Sequence, residues 1–175
     1  MASRSLFFDL EFSDFNPFKG LIYQIAVVDS KGETLQNDYV KSDTCSAFLE
    51  KSNPGVCEKC KGSTLTECEA VKNFWDIARK NPKATFVGHG PSMDLSFLYY
   101  KADQCGVKTI PVNVNDSYMK CRKMGEPKCS LVAFHQKLTG KVEQNAHDAE
   151  ADAKMTQEVW MKFEEHNPKG YYVRY

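Results

Sequence analysis

Leu6-Phe7-Phe8-Asp9-Leu10-Glu11-Phe12 is an apolar, aromatic-rich run interrupted by two carboxylates, and its reading decides the rest of the chain. Successive side chains of a strand point to opposite faces, so Asp9 and Glu11 emerge together, about 7 Å apart along the strand. Two like charges inside a sheet cost several kcal/mol unless a cation lies between them, and clustered carboxylate oxygens suit hard divalent ions such as Mg²⁺. An exposed edge strand with its polar face in water is the other reading of these two residues.

Outward from this run, Leu21 to Val28 is a second strand ending in the turn Asp29-Ser30-Lys31-Gly32, and Glu33 to Val40 is a third, edge-like one. Residues 42–65 are polar, broken by Asn53-Pro54-Gly55, and read as a long inserted loop. Thr66-x-x-Glu69 has the form of a capping box, opening a helix with Val71, Phe74, Trp75, Ile77 and Ala78 on helical spacing until Pro82. Ala84 to Gly88 is a short strand, after which Ser92 is placed to cap a helix carrying Leu95, Leu98 and Tyr99. A further strand is expected over Val107 to Val112, with helices over Ser117 to Met124, Leu131 to Leu138 and Ala149 to Glu165. Hairpin-linked strands followed by alternating helices and strands give an α/β layer structure with a mixed sheet. All 175 residues form one domain on this reading, with a tail from 166.

Two further acidic sites accompany the first strand. Asp94 falls in the first turn of a helix after the Gly88-His89-Gly90-Pro91 turn, and alone it would merely complement the helix dipole. His147-Asp148-Ala149-Glu150-Ala151-Asp152-Ala153 opens the last helix with small and acidic residues. If His147 and Asp152 were both helical they would stand about 140° apart, so a shared site needs His147 on the preceding loop and Asp152 facing inward from the second turn.

These residues resemble the motifs of the DEDDh family of 3′–5′ exonucleases. Phe8-Asp9-Leu10-Glu11 is similar to its first motif, Val87-Gly88-His89 with Asp94 and Phe97-Leu98 to its second, and His147 to Ala153 to its third, in the same order. The resemblance covers roughly residues 5–165. It implies a ribonuclease-H-like fold, a mixed five-stranded sheet flanked by helices. It also implies an enzyme that releases nucleoside 5′-monophosphates from the 3′ ends of DNA or RNA. Asp9, Glu11, Asp94 and Asp152 would hold two Mg²⁺ or Mn²⁺ ions, with His147 as general base. Substrate contacts would fall to Leu10, Phe12, Phe15 and His89. Gly90 and Met93 depart from the family pattern of Asn after the histidine and an aromatic before the aspartate, which leaves contacts along the substrate strand open. An RNA-specific exoribonuclease and a non-catalytic module binding nucleic acid or protein are the alternatives.

Lys plus Arg and Asp plus Glu number 23 each, so any polyanion site must be local rather than a product of bulk charge. Lys120, Arg122, Lys123 and Lys128 are the densest basic stretch, either a phosphate contact or a solvated helix face. Met1–Phe8 lacks the long apolar stretch of a secretory signal and no run is long enough to span a bilayer, so an intracellular, reducing compartment, cytoplasm or nucleus, is expected, with no membrane partner. A homodimer is left open. Seven cysteines, an odd count, then argue for reduced thiols or a metal. Cys57-x-x-Cys60 with Cys45 and Cys68 has part of the pattern of a structural Zn²⁺ site, but only one tight pair, so reduced thiols are the expectation. The final Tyr171-Tyr172-Val173-Arg174-Tyr175 could dock on the core or stack on nucleic acid.

Overall fold

The computed structural model describes residues 4–142 and 147–166. The aromatic tail at 171–175 lies outside the described residues.

Strands β1 (Ser5–Phe12), β2 (Ile22–Asp29) and β3 (Thr34–Tyr39) form an antiparallel meander, and β4 (Thr85–Gly88) and β5 (Asn113–Asp116) add parallel strands on the other side of β1. The sheet order is β3-β2-β1-β4-β5, which puts the carboxylate-bearing strand at the centre. That excludes the exposed-edge reading of Asp9 and Glu11.

The alternation of β1 sorts its two faces. Leu6, Phe8 and Leu10 enter a core with Phe74 and Trp75 of helix α3 (Glu67–Lys80) and Phe97 and Leu98 of helix α4 (Ser92–Gln104). Phe7 faces the other way, packing with Ala26, Val28 and Val87 against Ala149, Ala153 and Trp160 of helix α7 (Ala149–His166), which follows the short helices α5 (Ser117–Lys123) and α6 (Leu131–Thr139). Asp9 and Glu11 share this second face by parity. The capping box at Thr66 forms as expected: Thr66 Oγ1 accepts from Glu69 N at 3.2 Å and Glu69 Oε2 from Thr66 N at 2.8 Å. Such a cap is worth about 1 kcal/mol.

Several expectations are corrected. Residues 42–65 are not a plain loop but carry α1 (Ala47–Ser52) and α2 (Val56–Gly62), whose Leu49, Val56 and Cys60 bury against Tyr23. Three scattered apolar residues are too sparse to show a helical stripe. The fifth strand lies at Asn113–Asp116 rather than 107–112, where Pro111 lacks an N–H for the ladder while Val107, Ile110 and Val112 pack sideways on the core. Pro91, not Ser92, occupies the cap position of α4.

The cysteines are neither reduced as a set nor a zinc site. Cys45–Cys57, Cys68–Cys105 and Cys121–Cys129 are disulfides with Cα separations of 5.6, 5.4 and 5.7 Å, and buried Cys60 is the free thiol. Oxidation divides Cys45, Cys57 and Cys68 among two bridges, so Cys60 has no thiolate partners with which to bind Zn²⁺. Cys68 and Cys105 stand 37 residues apart. Spacing could not reveal that pair, because the packing of α3 on α4 brings its ends together. Among the described residues no helix is long and apolar enough to cross a membrane.

Candidate active site

Two parallel strands and two helix starts bring the acidic residues to one place. Asp9 and Glu11 project from the second half of β1 toward α7. Asp94 sits in the first turn of α4, which leaves the carboxyl end of β4, beside β1. The turn between them is tight. A Cβ on Gly88 would lie 2.6 Å from Pro91 Cβ and 3.4 Å from a Phe8 ring carbon, so glycine is what lets α4 start so near the sheet. Crevices at the carboxyl ends of parallel strands are the usual ligand sites of α/β sheets.

Asp152 comes from the first turn of α7, one turn earlier than expected. His147 lies off the helix, two residues before it, as a shared site requires. Its φ of 70° makes it the one non-glycine with positive φ among the described residues, and such a backbone costs about 1–3 kcal/mol unless its surroundings hold it. The holding contact is visible: His147 N donates to both Asp152 carboxylate oxygens at 3.3 Å. Ligand atoms of Glu11, His147 and Asp152 all lie within 4.8 Å of one another.

The electrostatics include Asp9 and Asp94 in the same cluster. Burial, followed by Asp94, Asp152, Glu11 and Asp148, pushes the Asp9 carboxyl well above the usual range. Burial, then Asp152, Asp94 and Asp148, pushes Glu11 up to about 9. Asp94, 7% exposed, is raised by burial and then by Asp152. Every cause acts in one direction and none is a cation. Hard oxygen donors converging in this way fit a divalent cation, which would supply the missing counter-charge.

Asp148 and Gln24 received no role from the sequence. Gln24 is wholly buried in β2; its Oε1 accepts from Ala149 N at 3.0 Å and its Nε2 donates to Asp148 Oδ2 at 3.2 Å. Asp148 also accepts from Tyr39 OH at 2.8 Å and caps α7 through Ala151 N at 3.1 Å. Together they fix the start of α7, and so Asp152 and His147, against the sheet. An amide amid the apolar run Ile22 to Val28 was the available signal.

The sequence matches no family model and no curated protein. Solved structures do match. The catalytic unit of Neurospora crassa Pan2, with protease and nuclease domains, aligns with a TM-score of 0.71 and 20% identity over 95% of this chain. A zinc-bound complex of E. coli ExoI with single-stranded DNA gives 0.77 and 18% over 97%. The Saccharomyces cerevisiae Pan2 RNA exonuclease module with AAGGA RNA gives 0.65 and 16% over 95%. The likeness is one of fold: a mixed five-stranded sheet flanked by helices in the ribonuclease-H-like arrangement. The chain spans 28%, 42% and 30% of those three chains.

In the ribonuclease-H-like frame the expected substrate residues separate. Phe12 is half-buried, stacked on Phe97 with centroids 4.5 Å apart, and Phe15 lies edge-on to it at 5.8 Å. Leu10 puts its side chain in the core, because β1 turns it toward α3 and α4, away from Asp9 and Glu11. His89 Nδ1 meets Ser117 Oγ at 2.8 Å and Nε2 the Cys129 carbonyl at 2.7 Å, so both ring nitrogens brace the fold. In the basic stretch Lys120 lies over the Trp160 and Phe163 rings, at 5.0 and 4.6 Å, leaving Arg122, Lys123 and Lys128 in water.

Proposed function

We propose that this chain is a divalent-metal-dependent 3′–5′ exonuclease releasing nucleoside 5′-monophosphates. The observation carrying the proposal is the convergence of Glu11, His147 and Asp152 within 4.8 Å, with Asp9 and Asp94 pressing on the same carboxyls. Asp9, Glu11, Asp94 and Asp152 would hold the metal, and His147 would serve as the base.

Two Mg²⁺ or Mn²⁺ ions held there would acidify an attacking water and stabilise the leaving 3′ oxygen. The chain's own residues do the rest. Four carboxylates bring the charge that two divalent cations balance, leaving a neutral floor on which a phosphodiester can sit. His147 is exposed, so water and substrate reach its imidazole, while its backbone bond to Asp152 keeps it at the cluster's edge. From there it takes the proton of the attacking water. Phe12, backed by Phe97, offers an apolar face to the terminal nucleotide.

The test is digestion of 5′-labelled DNA and RNA strands with Mg²⁺ or with EDTA. Stepwise shortening from the 3′ end with release of 5′-mononucleotides is expected, abolished by EDTA and reduced at least about 100-fold by Asp94→Asn. Internal cleavage, or full activity in EDTA, would overturn the proposal.

A further inference from the structure

The loop at residues 13–21, between β1 and β2, is heavily tied down. Ser13 N donates to Leu21 O and Leu21 N to Ser13 Oγ, both at 2.9 Å. Asp14 Oδ1 accepts from Asn16 N at 2.8 Å, and Asn16 Oδ1 from Phe18 N at 2.9 Å. The Asn16 carbonyl takes Lys19 N and Gly20 N at 3.0 and 2.7 Å. A Cβ on Gly20 would stand 2.7 Å from Phe97 Cζ, so the loop lies directly on α4. Yet this fixed loop leaves Phe15 73% and Phe18 72% exposed. Closing a hairpin needs neither ring, and large apolar side chains grouped in water on a rigid loop mark a binding surface.

The rings run outward from the carboxylates. Phe15, Phe12 and Phe97 are in contact, and Phe97 lies three residues after Asp94 on α4. Tyr100 is three residues further on, and Phe18 packs against it at 4.6 Å. Tyr100 thus lies about 9 Å along the helix axis from Asp94, by the rise per residue. Phe18 meets Tyr100 but remains mostly open. Lys19, next to it, is exposed and makes no ion pair among the described residues.

We propose that Phe18, backed by Tyr100, is a stacking platform for the base next to the terminal one, with Lys19 contacting its phosphate. The site would then select unpaired 3′ strands. This rests on the exonuclease reading. An aromatic face with an adjacent ammonium holds any single-stranded base, because every base has a π-face. Of the loop's side-chain acceptors, Asp14 Oδ1 and Asn16 Oδ1 already take backbone N–H groups of the loop itself. A paired base offers no free face until it is unstacked, which costs a few kcal/mol.

The test compares two substrates on the same preparation with Mg²⁺: the p-nitrophenyl ester of thymidine 5′-monophosphate, which has no second base, and a short single-stranded oligonucleotide. In Phe18→Ala the ratio of oligonucleotide KM to ester KM rises about tenfold, and Phe18→Trp restores it. The preference for single-stranded over blunt duplex ends falls by a similar factor. Lys19→Gln lowers the salt dependence of oligonucleotide KM by about one phosphate contact, a slope change near 0.7. An unchanged KM ratio, or a loss confined to duplex substrate, overturns the platform while leaving the exonuclease standing. A wild type that hydrolyses neither substrate overturns both.

Discussion

Replacing Glu11 by Gln should stabilise the metal-free protein, although it removes a proposed metal ligand. The Glu11 and Asp152 oxygens lie within 4.8 Å, and at an effective dielectric of about 20 two charges at that distance would repel by about 3.5 kcal/mol, which favours keeping a proton on Glu11. The proton balance agrees. With its carboxyl pushed from 4.5 to about 9, Glu11 stays protonated in the fold at pH 7, which costs about 1.4 kcal/mol per pH unit above 4.5, or roughly 3 kcal/mol. Gln has the same shape and no such penalty. For a domain of this size about 3 kcal/mol is roughly 6–12 °C in Tm.

The sign follows from the raised carboxyl. Its contribution to stability is whole below 4.5 and is eroded as pH climbs through about 9, so the lead of Glu11→Gln widens over that window. Saturating Mg²⁺ narrows the gap, adding about 2.7 kcal/mol to the wild type at a hundredfold excess over Kd and less to the variant. Calorimetric melts from pH 5 to 9, in EDTA and in Mg²⁺, read all of this. A variant that melts below the wild type without metal, or a gap that does not grow with pH, refutes the reasoning.

Two other outcomes are expected. His147→Ala should lower kcat by about 10²–10⁴, with little change in Tm because the side chain is exposed; normal turnover would remove it as the base. The double variant Cys68→Ala with Cys105→Ala should lose roughly 4 kcal/mol in urea denaturation, by closure of a 37-residue loop, and an unchanged midpoint would show that the bridge contributes nothing.

The sequence was most legible where local rules act alone. The alternation through Leu6 to Phe12 placed Asp9 and Glu11 on one face, and Thr66 with Glu69 announced the start of α3. Helical geometry put His147 off α7, and its positive φ and backbone bond to Asp152 are the form this takes. Long-range packing hid the rest. Cys68 meets Cys105 only because α3 lies on α4, and Pro111 moved the fifth strand to a stretch with no apolar signal. His89 was legible as part of the turn before Asp94, but its partners Ser117 and Cys129 come from far down the chain. Gln24 was visible as an amide in an apolar strand, but its role depends on Asp148 reaching it across 124 residues.

A crystal soaked with Mn²⁺ and a nucleoside 5′-monophosphate, examined by anomalous scattering, tests the central claim most directly. The account predicts manganese bound by Asp9, Glu11, Asp94 and Asp152, with the nucleotide phosphate on the metal and its sugar toward Phe12. Manganese found elsewhere, with these four carboxylates bare, would contradict it.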